Sequence, residues 1–205
     1  LVLHYTGMES AEAALERLAD PDASVSAHYV VLETGVVVQM VSEADRAWHA
    51  GVARWEGDED LNSRSIGIEI VNGGHDFGLP PFPDIQIAAV ISLCRAVLAR
   101  WAIPAHNIIG HSDLAPDRKA DPGERFPWRR LAEAGVGRWP SGPLAGPADA
   151  ASARADLTAI GYGEAFALED VLTAFQRRYR PARVDGALDA ETAGLIRAVR
   201  RLHAD

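Results

Sequence analysis

The spacing of apolar residues changes character several times along the first 140 positions. Leu1, Val2 and Leu3 run together ahead of His4 and Tyr5, as in a short buried strand. "ESAEAALERLAD" (9–20) has helical spacing and stops before Pro21. "AHYVVLETGVVVQM" (27–40) predicts two strands around a Thr-Gly turn, and "SIGIEIVN" (65–72) alternates as a strand does. A long helix runs through "PFPDIQIAAVISLCRAVLARWAIP" (81–104), bracketed by prolines, and "NIIGH" (107–111) supplies a further strand. Strands and helices in alternation predict an α/β domain with a mixed central sheet flanked by helices. "GVGRWPSGPLAGPADAASA" (135–153) is rich in small residues and proline, has no apolar face, and reads as a linker. Beyond it strand patterns vanish. Three helical patterns, 151–163, 167–181 and 189–205, predict a small all-α three-helix domain. The organisation expected is a domain over 1–140, a linker over 141–151 and a helical domain over 152–205.

Composition narrows the choice of partner. The 205 residues are 48% hydrophobic, enough for a substantial core, and carry a net charge of −9. With no basic run interleaved with aromatics, nucleic acid is excluded as a partner. No apolar stretch is long enough to cross a membrane as a helix. The charge is uneven: residues 1–140 hold 12 basic and 20 acidic side chains, and 141–205 hold 8 and 9. Different partners are expected for the two parts. Cys94 is the single cysteine and falls in an apolar helical pattern, where it reads as a small buried residue rather than a nucleophile.

The polar residues with chemical potential sit where strands end. His4 closes the first strand, His111 closes "NIIGH", and Asp121 follows in "HSDLAPDRKADPGERFPW" (111–128), a segment with three prolines and no helical period. Two imidazoles and a carboxylate are a common zinc ligand set for hydrolysis, leaving one tetrahedral position open to water. Alone, the pattern is weak, because histidines at strand ends more often face solvent or support other residues. The prolines limit the backbone states available to the loop that carries Asp121. Lys119, two residues before Asp121 in an extended stretch, points to the same side. Glu69 alternates with Ile68 and Ile70 and so lies on the opposite sheet face from them.

"LVLHYTG", "SAHYVV", "AWHAG", "LNSRSIGIEIVN" and "HSDLAPDRKADPGERFPW", in that order, resemble the zinc-dependent N-acetylmuramoyl-L-alanine amidases, which share a fold with peptidoglycan recognition proteins. The resemblance spans residues 1 to about 140. It implies one zinc ion held by His4, His111 and Asp121. It also implies Glu69 as the proton-transferring carboxylate and Lys119 facing the substrate carbonyl. The reaction implied is hydrolysis of the amide between the lactyl group of N-acetylmuramic acid and L-alanine of the stem peptide. Tyr5, His28, Trp48, His49, Arg64 and Asn72 are the expected contacts to peptidoglycan or muropeptides, each with a plainer reading as core or surface.

The last segment, "IGYGEAFALEDVLTAFQRRYRPARVDGALDAETAGLIRAV", resembles the three-helix peptidoglycan-binding domain. Asp189 is expected to cap its last helix, with Glu191 in the first turn. Leu172, Phe175, Leu195 and Ile196 are its expected core. Tyr179 and the arginines around it are expected to face wall material or water. A wall-binding domain implies action in the bacterial cell envelope, in the periplasm, with an anchoring or leader segment removed from the front. Two alternatives stand beside this reading. One is a receptor that recognises peptidoglycan without cutting it, which typically lacks a metal ligand. The other is a cytosolic recycling enzyme for anhydro-muropeptides, to which a wall-binding domain would be of no use.

Overall fold

The structure, a computed structural model, describes residues 1–141 and 145–204. Five strands form one mixed sheet in the order β3-β2-β4-β1-β5: β1 (Val2–Tyr5), β2 (Tyr29–Val31), β3 (Val37–Gln39), β4 (Gly67–Ile70) and β5 (Ile109–Gly110). Only β3 runs antiparallel, paired with β2 through a short turn. The mixed sheet expected from the sequence is present, and 27–40 does form two strands. The helices before the third segment are α1 (Ala11–Ala19), α2 (Leu61–Arg64), α3 (Asp84–Arg100), α4 (His111–Leu114) and α5 (Trp128–Glu133). Ser10 caps α1 by accepting from the Ala13 N–H at 3.1 Å. α3 buries Ile87, Val90, Leu93, Cys94 and Val97 against the sheet residues Leu3, Ile68 and Ile70, so Cys94 is a packing residue. No described helix is long and apolar enough to cross a membrane.

Three helices follow: α6 (Ala150–Ile160), α7 (Leu168–Tyr179) and α8 (Ala190–Ala204). Asp149 caps α6 by accepting from Ser152 N–H at 2.7 Å, and Asp189 accepts from Thr192 N–H at 2.8 Å at the start of α8. Leu172, Phe175, Leu195 and Ile196 are all buried, as their spacing predicts. Of the expected linker, 142–144 lie outside the described residues. The part that follows is held: Gly146 N–H donates to Ala190 O at 3.0 Å, and Arg197 donates to Pro147 O at 3.0 Å.

The helices do not stand apart from the α/β portion. One apolar core contains Val2, Ala53, Trp55, Ile109 and Leu114 together with Leu157, Ile160, Tyr162, Leu172 and Phe175. Trp55 meets Tyr162 edge to face at 5.2 Å, and their backbones form an antiparallel bridge. Gly161 permits this approach: a Cβ there would lie 2.6 Å from the Trp55 indole. The outward reading fails for Tyr179, Arg178 and Arg180, while Arg183 is exposed. Tyr179 is buried against Phe175 and Trp139, Arg178 is buried in the junction, and Arg180 is buried among Asp185 and Asp189. Two of the segment's eight arginines, Arg178 and Arg180, are therefore spent inside the fold.

Candidate metal centre

The parallel strands β1, β4 and β5 bring their C-terminal ends to one edge, the usual location of sites in α/β sheets. His4 and Glu69 are register partners across β1 and β4, and His111 is the first residue after β5. Register partners project from the same face, so Glu69 shares the face of His4. The arch from α4 to α5 then carries Asp121 back over β5, tied there by Ser112 N–H donating to Asp121 O at 2.8 Å.

Three buried ligand atoms converge. His4 Nδ1 lies 3.0 Å from His111 Nδ1 and 3.0 Å from Asp121 Oδ2, and His111 Nδ1 lies 3.1 Å from the same carboxylate oxygen. His4, His111 and Asp121 form the one group of three or more such residues among the described residues that is arranged for a metal. The edges of this triangle suit three corners of a tetrahedron at zinc–nitrogen and zinc–oxygen bond lengths of about 2 Å. The outer ring nitrogens are already committed, which fixes the tautomers. His111 Nε2–H donates to Ala50 O at 2.9 Å. His4 Nε2–H donates to His49 Nδ1 at 3.0 Å, and His49 Nε2 in turn lies 3.4 Å from Ser65 Oγ, whose hydroxyl donates to Leu61 O at 2.6 Å. Both Nδ1 atoms are thereby left bare, as metal ligands require.

The electrostatics agree. Burial brings the His4 imidazole down to about 4, against the pull of Asp121, which would accept from Nδ1 if it were protonated. Burial also drives His49 well below the usual histidine range, with the neighbouring histidines adding to it. For Asp121, burial favours the neutral acid, yet His111 and His4 outweigh it and hold the carboxyl below its ordinary range. The shifts thus favour a neutral His4 beside an anionic Asp121. Glu69 moves the opposite way: burial, then the Asp121 charge, raises it well above the usual carboxylate range, with Lys119 opposing. Its Oε2 is enclosed and has no hydrogen-bond partner among the described residues. A buried orphan oxygen beside three convergent ligand atoms fits a metal-activated water as its partner.

The remaining expected residues have different surroundings. Lys119 is half-buried and near enough for its charge to act on both His4 and Glu69. Trp48 is 54% exposed, has Arg46 stacked 4.1 Å from its ring centre, and borders a groove of about 410 Å³ with Leu18, Pro21 and Val25. Tyr5 is half-buried at the strand end with its hydroxyl 2.9 Å from His75 Nδ1. His49 lies behind His4, so close to β4 that a Cβ on Gly67 would fall 2.4 Å from its ring. His28 is 1% exposed with both ring nitrogens engaged, accepting from Gly67 N–H and donating to Asp45 O, each at 3.0 Å. Asn72 is buried and clips its own loop, donating to Pro80 O and accepting from Gly74 N–H. Arg64 lies at the other end of β4, exposed and paired with Asp58 at 2.8 Å. The sequence reading overlooked Asn62, whose Oδ1 accepts from both His49 and Ala50 N–H, and Ser65. Both lie inside the quoted "LNSRSIGIEIVN", but the His49 and Ala50 groups they support are a dozen or more residues away.

Comparison with known proteins accords with this geometry. Residues 1–124 match the family described as N-acetylmuramoyl-L-alanine amidase. The chain is similar to N-acetylmuramoyl-L-alanine amidase AmiD of Escherichia coli, 37% identical over 226 residues that span 97% of this chain and 81% of AmiD. The structure of AmiD in complex with anhydro-N-acetylmuramic acid-L-Ala-D-γ-Glu-L-Lys superposes with a TM-score of 0.89 at 35% identity, covering 98% of this chain and 88% of that one. AmpDh3 from Pseudomonas aeruginosa superposes with a TM-score of 0.92 at 34% identity, covering 100% and 91%. The convergent ligand atoms at the strand ends and these likenesses over nearly the whole length lead to one assignment: the chain belongs to the N-acetylmuramoyl-L-alanine amidase family of hydrolases.

Proposed function

We propose that this chain is a zinc amidase that cleaves the bond between the muramyl lactyl group and L-alanine in muropeptides, the anhydro form included, within the cell envelope. The observation that carries the reading is the triangle of bare His4 Nδ1, His111 Nδ1 and Asp121 Oδ2 atoms beside the orphan oxygen of Glu69. A zinc ion held there would polarise the scissile carbonyl and activate water as the nucleophile. The protein's own groups do the rest. Glu69, whose enclosed Oε2 has no partner among the described residues, takes the proton as the water oxygen bonds to the carbonyl carbon. It returns that proton to the L-alanine nitrogen as the carbon–nitrogen bond breaks. The Lys119 ammonium stabilises the oxyanion that forms between the two events. Trp48 supplies an apolar wall for the sugar or peptide, while His28, His49 and Asn72 hold the site's framework.

The AmiD complex with an anhydro-muropeptide supports the substrate class. The full ligand set, with Glu69 and Lys119 beside it, favours an enzyme over a receptor that only recognises peptidoglycan. We assign residues 1–140 to catalysis and 152–205 to presentation of the site to wall material, in the periplasm. The decisive experiment is mass spectrometry of muropeptides incubated with the zinc-loaded protein. Release of the free muramyl sugar and of a peptide beginning with L-alanine is expected. Intact muropeptide that is nonetheless retained by the protein would replace this reading with recognition alone.

A further inference from the structure

We infer that Arg178, aided by Tyr162, is a positioning residue for the metal ligand His111, so that the C-terminal helices help to set the geometry of the metal centre. The inference rests on the zinc reading above. His111 is borne by two very short elements: β5 has two residues and α4 has four. Elements of that length cannot fix an orientation by their own hydrogen bonds, since a single helical turn is not stable alone. What holds them comes from elsewhere in the chain.

Asp113 lies two residues beyond His111, is 1% exposed, and uses both oxygens. Its Oδ2 accepts from Gly110 N–H at 2.9 Å and from Arg178 NH1 at 3.1 Å, and its Oδ1 accepts from the Tyr162 hydroxyl at 2.6 Å. The other arm of Arg178 donates to Ile108 O at 2.9 Å. One guanidinium thus bridges the chain before β5 and the chain after His111, closing the segment that presents the ligand. The clamp is itself braced. Arg178 is 6% exposed, stacks 4.2 Å from the Trp128 ring centre at the start of α5, and projects from α7, which packs on α4. A planar fork with two donors aimed in fixed directions suits this task better than an ammonium does. In a buried setting, losing the guanidinium also leaves the Asp113 charge without its counterion, so the turn shifts to recover solvent or another donor.

The consequence is specific to the metal. Loss of a supporting contact around a ligand typically weakens metal binding about 10–100-fold, and Arg178 acts through one further residue, so a value of about 10-fold is expected for Arg178→Met. Tyr162→Phe removes a single hydrogen bond and should weaken binding less. Arg178→Lys, with one donor direction in place of two, should recover part of the loss. Leu172→Ala, a residue of the same shared core whose side chain has no hydrogen-bonding group, provides the comparison. It should lower the melting temperature without altering zinc affinity.

The test uses the full-length protein. Zinc affinity is measured by chelator competition, ligand geometry by the visible spectrum of the cobalt-substituted protein, and the turn itself by hydrogen exchange at the Gly110 amide. Weaker zinc binding, an altered cobalt spectrum and faster Gly110 exchange in Arg178→Met, graded through Arg178→Lys and Tyr162→Phe and absent from Leu172→Ala, are expected. If Arg178→Met does not fold, Tyr162→Phe decides. Unchanged affinity and spectrum in the folded variants would overturn the inference. Failure of the unaltered protein to take up zinc would overturn the metal assignment instead. In that case Gly110 exchange in the metal-free proteins still judges the clamp, and equal rates in Tyr162→Phe and Leu172→Ala would reject it.

Discussion

At the scale of single residues, the metal centre depends on protons being absent from two imidazoles and mobile on one carboxylate. Chelation should abolish turnover and zinc should restore it; His111→Ala and Asp121→Ala should match the chelated protein, while His106→Ala, outside the ligand triangle, should not. Metal analysis beside turnover checks this, and full activity after verified removal would reject the assignment. Glu69→Gln and Lys119→Ala are expected to lower turnover by about 10²–10³-fold with zinc retained. Zinc loss in either variant would give that residue a structural role.

The same residues set a pH dependence. His4 has its folded pKa brought down to about 4, below the usual 6.5 of an unfolded histidine. As pH falls through that interval the unfolded chain takes up a proton that the folded chain refuses, so stability present above 6.5 is progressively lost until about pH 4. The shift corresponds to about 3 kcal/mol. His49, held well below the usual histidine range, acts in the same direction over the same interval, and Asp121 adds its loss only at more acidic pH, below the 3.8 of an unfolded aspartate. Thermal melts of the metal-free protein should therefore show a marked fall between pH 7 and 5, and a flat profile would contradict the buried neutral imidazoles. The motifs pointed to His4, His111 and Asp121 through the family they resemble, since histidines at strand ends are a weak signal by themselves. They said little about His28, His49 and Asn72, since what occupies these side chains is contributed by chain that lies elsewhere: Asp45 and Gly67 for His28, His4 and Ser65 for His49, Pro80 for Asn72.

At the scale of elements, the centre is a product of strand register. The pairing of His4 with Glu69 follows from alternation in β1 and β4, and a slip of one residue would turn Glu69 into the apolar layer beneath α3. Gly67 is where this register meets the support of the ligands, because the His49 ring occupies the space a side chain would take. Gly67→Ala should therefore cost about 1–3 kcal/mol as an overpacking change, and should also weaken zinc retention by displacing the acceptor of His4 Nε2–H. Denaturant melts with and without zinc separate the two effects. An equal loss in both forms would mean that His49 only packs. The strands and helices were legible in the sequence from apolar spacing, but this close approach was not. Nothing in "SIGIEIVN" announces that a histidine eighteen residues earlier lies against its glycine.

For the molecule as a whole, the sequence suggested two bodies joined by a flexible stretch, and the structure joins the helices to the sheet through a common core. The reason the junction was hidden is that its residues look like two separate local cores: Trp55 and Leu114 on one side, Leu157, Tyr162 and Phe175 on the other. A chain ending at Pro140 would expose that surface and strand Asp113 without Arg178 and Tyr162. It should melt roughly 10 °C lower or fail to fold, where a separable domain would retain its melting temperature. The junction also changes how the helical part would help on insoluble wall. A tethered module acts by raising local concentration, and its effect varies with tether length. A module fixed on the catalytic body acts by orienting the strand it holds, and tether length is then immaterial. Inserting about ten Gly and Ser residues after Ser141 distinguishes the two, since the shared core and the Gly146–Ala190 contact lie outside the insertion. Turnover on a soluble muropeptide and on purified sacculi should both stay within about twofold of the unaltered protein, because the docked arrangement is kept by packing rather than by the length of the connection. A fall on sacculi alone would show that the helices work on a leash, and the orienting role would have to be given up.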